Sequence, residues 1–124
     1  MGAHRYATTQ GETASGPRLM MLLFDAALRH ARCGTAALTA GERPAATASL
    51  TKASDIVAEL YATLDHDRAP ELCDSLAGLY RFICGRLTSA ACSGDARAAA
   101  DAERVLAILA DAFSQAVVVA GAQP

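Results

Sequence analysis

Neither sign of charge dominates this chain: eleven Lys and Arg stand among thirteen Asp and Glu, for a net charge of -2. Without a basic stripe nothing neutralises a run of phosphates, so nucleic acid and anionic membrane drop out as partners. Histidine is scarce, and His4, His30 and His66 fall in three different elements with no HxxxH, ExxH or HExxH spacing. A metal site in a bundle core would therefore lack its ligands, and neither a metal nor another cofactor is expected. The acid-base candidate is His66 between Asp65 and Asp67, a cluster that suits a solvated or capping helix-to-helix turn better than catalysis, and the chain reads as no enzyme. Four cysteines, Cys33, Cys73, Cys84 and Cys92, include no CxxC pair. Cys73 and Cys84 share a helix face but sit about 16 Å apart, too far to bind one ion. With no secretory signal at the start, reduced thiols in the cytoplasm are the expectation. No apolar run approaches the roughly twenty residues of a membrane span, so no membrane insertion is expected. Strand signals, repeats and low-complexity blocks are missing as well.

What the chain does have is alanine, about a quarter of its 124 residues, which favours helices packed closely side by side. That length suits one domain able to bury about two-thirds of its unfolded surface without staples. The most apolar stretch is Leu19-Met20-Met21-Leu22-Leu23-Phe24-Asp25-Ala26-Ala27-Leu28, with one charge in ten residues. At about 100° per residue, Leu19, Leu22, Leu23, Ala26, His30, Cys33 and Ala37 form one stripe, read as the core face. Met20, Phe24, Ala27, Leu28, Ala31 and Leu38 form a second beside it. An amphipathic helix needs an apolar arc of about 100°, and this one spans well over 200°, so something must cover the surplus. Asp25 either makes an exposed pair with Arg29 or reaches across the bundle to Arg86.

Taken in order, residues 1–14 read as a polar N-terminal arm with at most a short helix. Its Tyr6 either packs on the bundle or covers the second stripe. Ser15 can cap a first helix over about 16–40, with Pro17 in its first turn. A second helix over about 44–65 carries the stripe Ala46, Leu50, Ala53, Val57, Leu60 and Leu64, with Ile56 and Tyr61 at its margins. A third, over about 70–92, opens at Pro70-Glu71 with the stripe Leu72, Leu76, Leu79, Tyr80, Ile83, Leu87 and Ala90. Phe82 shares another face with Ser75, Gly78 and Gly85; two mid-helix glycines on one face suggest the close approach of another backbone. Asp95 caps a fourth helix over about 95–118, with Ala98, Ala102, Val105, Leu109, Ala112, Phe113 and Ala116 inward, and residues 120–124 form a tail. Four similar helices with short connections predict an all-α, antiparallel up-and-down four-helix bundle over 15–119 with a short N-terminal arm.

An ordered set of residues carries a resemblance. Tyr6, Gln10, Thr13-Ala14-Ser15-Gly16-Pro17-Arg18-Leu19 and Leu23-Phe24-Asp25-Ala26-Ala27 resemble the N-terminal signature of FliS, the cytosolic export chaperone of bacterial flagellin. Lys52-Ala53-Ser54-Asp55-Ile56-Val57, Leu60, Leu64 and Asp65 look like that family's second helix; Leu76, Leu79-Tyr80, Phe82 and Arg86-Leu87 look like its third. The chain departs from the pattern at Gly16-Pro17, where Pro-Gly or Pro-Glu is usual, at Gly11, and at Ser75, where asparagine is frequent.

The resemblance implies a protein that binds the C-terminal segment of flagellin, prevents its premature polymerisation, and hands it to a component of the flagellar type III export gate. The surplus stripe then supplies a surface for an amphipathic client chain. The partner-binding residues expected on this reading are Met20, Met21, Phe24 and Leu28 on the first helix and Ile56 and Leu60 on the second. Tyr6 would come from an arm that covers the same surface. The alternative is a structural or scaffolding bundle without a client, self-associating as a homodimer through that stripe.

Overall fold

The structure, a computed structural model, describes the backbone of residues 16–122 and the side chains of 16–119. Four helices account for nearly all of it: α1 (Gly16–Thr39), α2 (Arg43–Ala62), α3 (Pro70–Ser93) and α4 (Ala96–Ala122). Each packs on its sequence neighbour and α4 closes back onto α1, giving an antiparallel four-helix bundle. The arm with Tyr6, and Ser15 as a cap, lie outside the described residues.

Local chemistry sets the helix ends. Pro44 and Pro70 occupy first turns, where a missing N–H costs nothing. Gly41 and Gly94 take left-handed φ values of 76° and 70°, which let α1 and α3 stop sharply. Asp95 caps α4, its Oδ1 accepting the Ala98 N–H at 3.1 Å. The α2 pattern extends toward residue 65, but the helix stops at Ala62 because the chain turns to bond to itself. Thr63 donates its hydroxyl to the Leu60 carbonyl at 2.7 Å, and its N–H reaches Glu59 and Leu60.

The core is made largely of alanine and leucine, with Tyr80, Leu50, Leu60, Ile83, Leu87, Leu106 and Val57 its largest fully buried side chains. On α1 the inward face differs from the first stripe of the wheel. Leu23, Phe24, Ala27, Leu28, Ala31, Gly34 and Ala37 are buried, whereas Leu22 is 42% exposed and Cys33 faces out. Two packing constraints turn the helix this way: Phe24, 3% exposed, is the largest apolar group available, and Gly34 allows Leu50 of α2 to press against the α1 backbone. A Cβ at Gly34 would lie 2.5 Å from Leu50 Cδ2 and 2.6 Å from its Cγ. The second stripe is thus mostly hidden by α2 and α4 rather than left over for another chain. On α4 the inward positions are Ala98, Ala99, Ala102, Leu106 and Ala110, with Val105, Leu109 and Phe113 half-buried beside them.

The polar expectations resolve as follows. Arg86 pairs with Asp101 of α4 at 3.0 Å, and Arg104 joins the same carboxylate at 3.0 Å, so Asp25 is not its partner. Asp25 itself is exposed. His30 is half-buried at the α1–α2 seam, where burial first, then Arg29 and Lys52, pushes its pKa down. Gly78 and Gly85 have nothing within 4 Å of an added Cβ, so no other helix of the bundle approaches them. No described helix is long and apolar enough to cross a membrane.

Candidate functional site

An apolar cavity of about 340 Å³ opens at one end of the bundle, where α1 begins, α2 passes into α3, and α4 finishes. Antiparallel topology brings those four chain segments together. Met20 and Phe24 come from the second and third turns of α1, Leu72, Leu76 and Tyr80 from the first half of α3, and Leu109, Ala112, Phe113 and Ala116 from α4. The α2–α3 connection adds Thr63, Leu64 and Asp65 at the rim.

The floor is aromatic. Phe24 lies between Phe113 and Tyr80, its ring centroid 5.5 Å from the first and 6.4 Å from the second, with tilted planes in both pairs. Tyr80 is 1% exposed, and burial, with a smaller contribution from Cys73, pushes its phenol up to about 12. It stays neutral throughout the physiological range, so the floor carries no charge.

The rim is held by a tied turn. The Asp65 carbonyl accepts from the N–H groups of Arg68 and Ala69 and from the Cys73 thiol, the last at 3.3 Å. The Asp65 carboxylate accepts the Arg68 N–H at 3.3 Å, a local cap rather than a catalytic arrangement with His66. His66 instead faces Asp74, with 3.6 Å between Nδ1 and Oδ1 on an exposed surface. Thr63, at the rim, turns its hydroxyl toward the Leu60 carbonyl and toward Met20 Sδ at 3.8 Å.

Of the residues expected from the sequence, the structure brings Met20 and Phe24 together at this cavity. Met21 is half-buried elsewhere on α1, and Ile56 is half-buried against the core. Leu28, 9% exposed, and Leu60, 0% exposed, lie inside the bundle and present almost no surface in this conformation. Sequence reasoning missed Leu64, Leu72, Leu76, Tyr80, Leu109 and Phe113 as lining groups. All six fall in the core stripes of the sequence, where periodicity alone puts them. Helix order holds the missing signal: in an up-and-down bundle, the first turns of α1 and α3 meet the last turns of α2 and α4, and all four are rich in large apolar residues there.

The arrangement suits binding rather than bond-making. A dry apolar cavity of about 150 Å³ can hold a benzene ring, so this one has room for about two groups of that size. Leu72, 60% exposed, extends the apolar surface beyond the mouth. Among the described residues no group of three or more His, Cys, Asp or Glu could hold a metal ion.

Comparison with known proteins places this geometry. Among curated proteins, none matches the chain. A solved structure, "Crystal structure of flagellar chaperone from bacteria", superposes with a TM-score of 0.75 at 22% sequence identity, covering 92% of this chain and 93% of that one. At that identity the likeness speaks for the fold. The family described as "Flagellar protein FliS" matches residues 2–120, nearly the whole length, and the chain belongs to that family.

Proposed function

We propose that the protein is a cytoplasmic export chaperone that holds the C-terminal segment of flagellin, keeps it from polymerising prematurely, and delivers it to a component of the flagellar type III export gate. The observation that carries this reading is an open apolar cavity with an uncharged aromatic floor at the end of a bundle of the FliS family. A chain that must reach the export machinery unassembled has to keep its apolar face out of water. An amphipathic segment laid on the bundle end, with two side chains inserted over Phe24, does that.

The energetics are adequate. Ordering a disordered segment costs about 2–5 kcal/mol of the gross interaction, while each fully buried Leu, Met or Phe returns roughly 1.5–3 kcal/mol. Two anchors in the cavity and one or two on Leu72 and its surroundings offset the cost. Met20 suits the task because an unbranched thioether adapts to more than one contour. The role falls chiefly on Met20 and Phe24, joined by Leu64, Leu72, Leu76, Leu109 and Phe113. Met21, Leu28, Ile56 and Leu60 then serve by shaping the helices behind the site. The site grips a chain and makes or breaks no bond, so the protein acts as a chaperone and not as an enzyme.

Residues 1–14, with Tyr6, act on this reading as an arm attached beside the cavity, because α1 starts there. Removing residues 1–12 should raise affinity for the client if the arm competes for the site; an unchanged affinity discards the lid. The central experiment is calorimetry with a flagellin C-terminal peptide. Saturable binding weakened at least about tenfold by Leu72→Asp is the expected result, a loss of about 1.4 kcal/mol. No binding to the unaltered protein would overturn the proposal.

A further inference from the structure

The cavity lining carries one polar group that the client reading leaves unused. Tyr80 forms part of the floor and is 1% exposed, yet among the described residues its hydroxyl has no hydrogen-bond partner. The oxygen is not walled in either. Among the described residues the side-chain atom that is both sealed from solvent and unpartnered is Arg86 Nε. The Tyr80 hydroxyl therefore keeps contact with open space, and the open space that Tyr80 borders is the cavity. Tyr61 makes the contrast: 41% exposed on α2 and within reach of water, its hydroxyl still accepts from Arg81 Nη1 at 3.2 Å.

The position of Tyr80 agrees with this. An aromatic side chain on a helix leans toward the helix N-terminus, so the ring carries its oxygen back toward Leu76 and Cys73, the end of α3 where the cavity opens. Burial gives the phenol its upward push, and Cys73 is near enough to add to it. The Cys73 thiol itself is turned to the Asp65 carbonyl, 3.3 Å away. The remaining polar side chains of the lining, Thr63 and Asp65, stand at the rim and are engaged with the turn between α2 and α3. Phenylalanine would fill the place of Tyr80 and enclose no polar atom. A hydroxyl surrounded by apolar groups gains from a partner that enters the cavity, because little water competes once the space is filled.

Whatever enters must bring an acceptor that survives among Phe24, Leu76 and Phe113. A carboxylate does not: it would give up its hydration in an apolar lining, with Asp65 at the rim repelling it. A neutral carbonyl oxygen loses far less and accepts well. We propose that the Tyr80 hydroxyl is the specificity group of the cavity, donating a hydrogen bond to one neutral carbonyl oxygen of the client segment. This rests on the cavity reading above and adds a rule for the client: apolar anchors over Phe24, with one carbonyl oxygen beside them. That oxygen belongs either to a Gln or Asn side chain one helical turn from an anchor, or to a main-chain carbonyl at the end of the client helix, where intrahelical partners run out. A site built to hydrogen-bond rejects a segment of equal apolarity that lacks the oxygen, which an apolar hollow alone does poorly.

The test is Tyr80→Phe, which removes the oxygen and keeps the ring, read by calorimetry with the flagellin C-terminal peptide and by urea unfolding of the protein without peptide. Binding should weaken about fivefold, the worth of one neutral hydrogen bond. The unfolding midpoint should stay where it is or rise, since no hydrogen bond within the bundle is lost. Tyr61→Phe, on the exposed surface, should leave the affinity unchanged. Peptide variants then identify the oxygen. Replacing the responsible Gln or Asn by Met should cost the unaltered protein about fivefold and the Tyr80→Phe protein nothing. If the oxygen is a main-chain one, an amide-to-ester exchange that weakens that carbonyl as an acceptor shows the same pattern instead. Equal affinity of Tyr80→Phe and the unaltered protein overturns the proposal. So does a loss of affinity matched by an equal loss of stability, or a peptide with no oxygen whose removal is felt less in Tyr80→Phe. In each of these cases the cavity reading stands as long as Leu72→Asp weakens the peptide, whereas no binding to the unaltered protein removes both.

Discussion

The middle of the bundle and its cavity end are built from the same four helices but from different side chains. In the middle, Ala27, Ala31, Gly34, Ala53, Ala98, Ala99 and Ala102 let the helices pack closely around Leu50, Leu87 and Leu106, leaving beside Leu50 and Leu87 a smaller hollow of about 160 Å³ between α2 and α3. At the cavity end Met20, Phe24, Leu72, Leu76 and Phe113 stand where alanine stands elsewhere, and the helices are held apart. Side-chain volume along one helix decides where the bundle seals and where it stays open.

The sharpest test sets Leu50→Ala against Met20→Ala in urea unfolding. Leu50 is fully enclosed, and truncating it should cost about 2–5 kcal/mol. Met20 already borders empty space, so its truncation should cost less than about 1 kcal/mol while weakening a flagellin peptide. Similar losses at both positions would mean that the cavity end is packed as tightly as the middle. Next in size is Asp101→Asn, which strips the charge from the half-buried carboxylate shared by Arg86 and Arg104. It should cost about 1–2 kcal/mol, where Asp25→Asn on the exposed edge of α1 stays within about 0.5 kcal/mol. Asp95→Ala, removing the α4 cap at the closed end, should cost about 1 kcal/mol.

The smallest effect is a pH dependence at the α1–α2 seam. His30 has its folded pKa below the ordinary 6.5, because burial and the cations Arg29 and Lys52 disfavour the charged ring. Its share of stability is complete above pH 6.5. It falls as the pH drops from 6.5 toward the lower folded value, where the unfolded chain takes up the proton first. His30→Gln should flatten that part of the stability profile in denaturation series run across mildly acidic pH.

How much of this could be read from the sequence follows from the chemistry of each helix. The α2 stripe from Ala46 to Leu60 is buried as its periodicity indicates, because Lys52, Asp55 and Glu59 leave the helix one apolar side. α1 offers no such contrast. Its rotation is decided by Phe24 and by Gly34 against Leu50, contacts between distant parts of the chain that a wheel does not contain. Val105, Leu106 and Leu109 are similarly interchangeable on α4, and packing selected Leu106 for the centre. The Gly78 and Gly85 face stands out in the sequence, but no other helix of the bundle approaches it. The cavity was half visible: Met20 and Phe24 stood out in the densest apolar run, while Leu72, Leu109 and Phe113 looked like ordinary core until the helix ends were set side by side.

Gly94 ends α3 at the corner opposite the cavity, and a Cβ there would lie 2.6 Å from an Arg43 guanidinium nitrogen. Arg43 reaches on to the Cys92 carbonyl at 3.5 Å, and Thr47 to that of Ala91 at 3.4 Å, so the start of α2 is clasped to the end of α3. A bundle fastened at one corner and hollow at the other should open as a clothes-peg does, by spreading its jaws about a fixed spring. Amide exchange should therefore run fastest in the first turns of α1 and α3, and the helices should part there without sliding out of register.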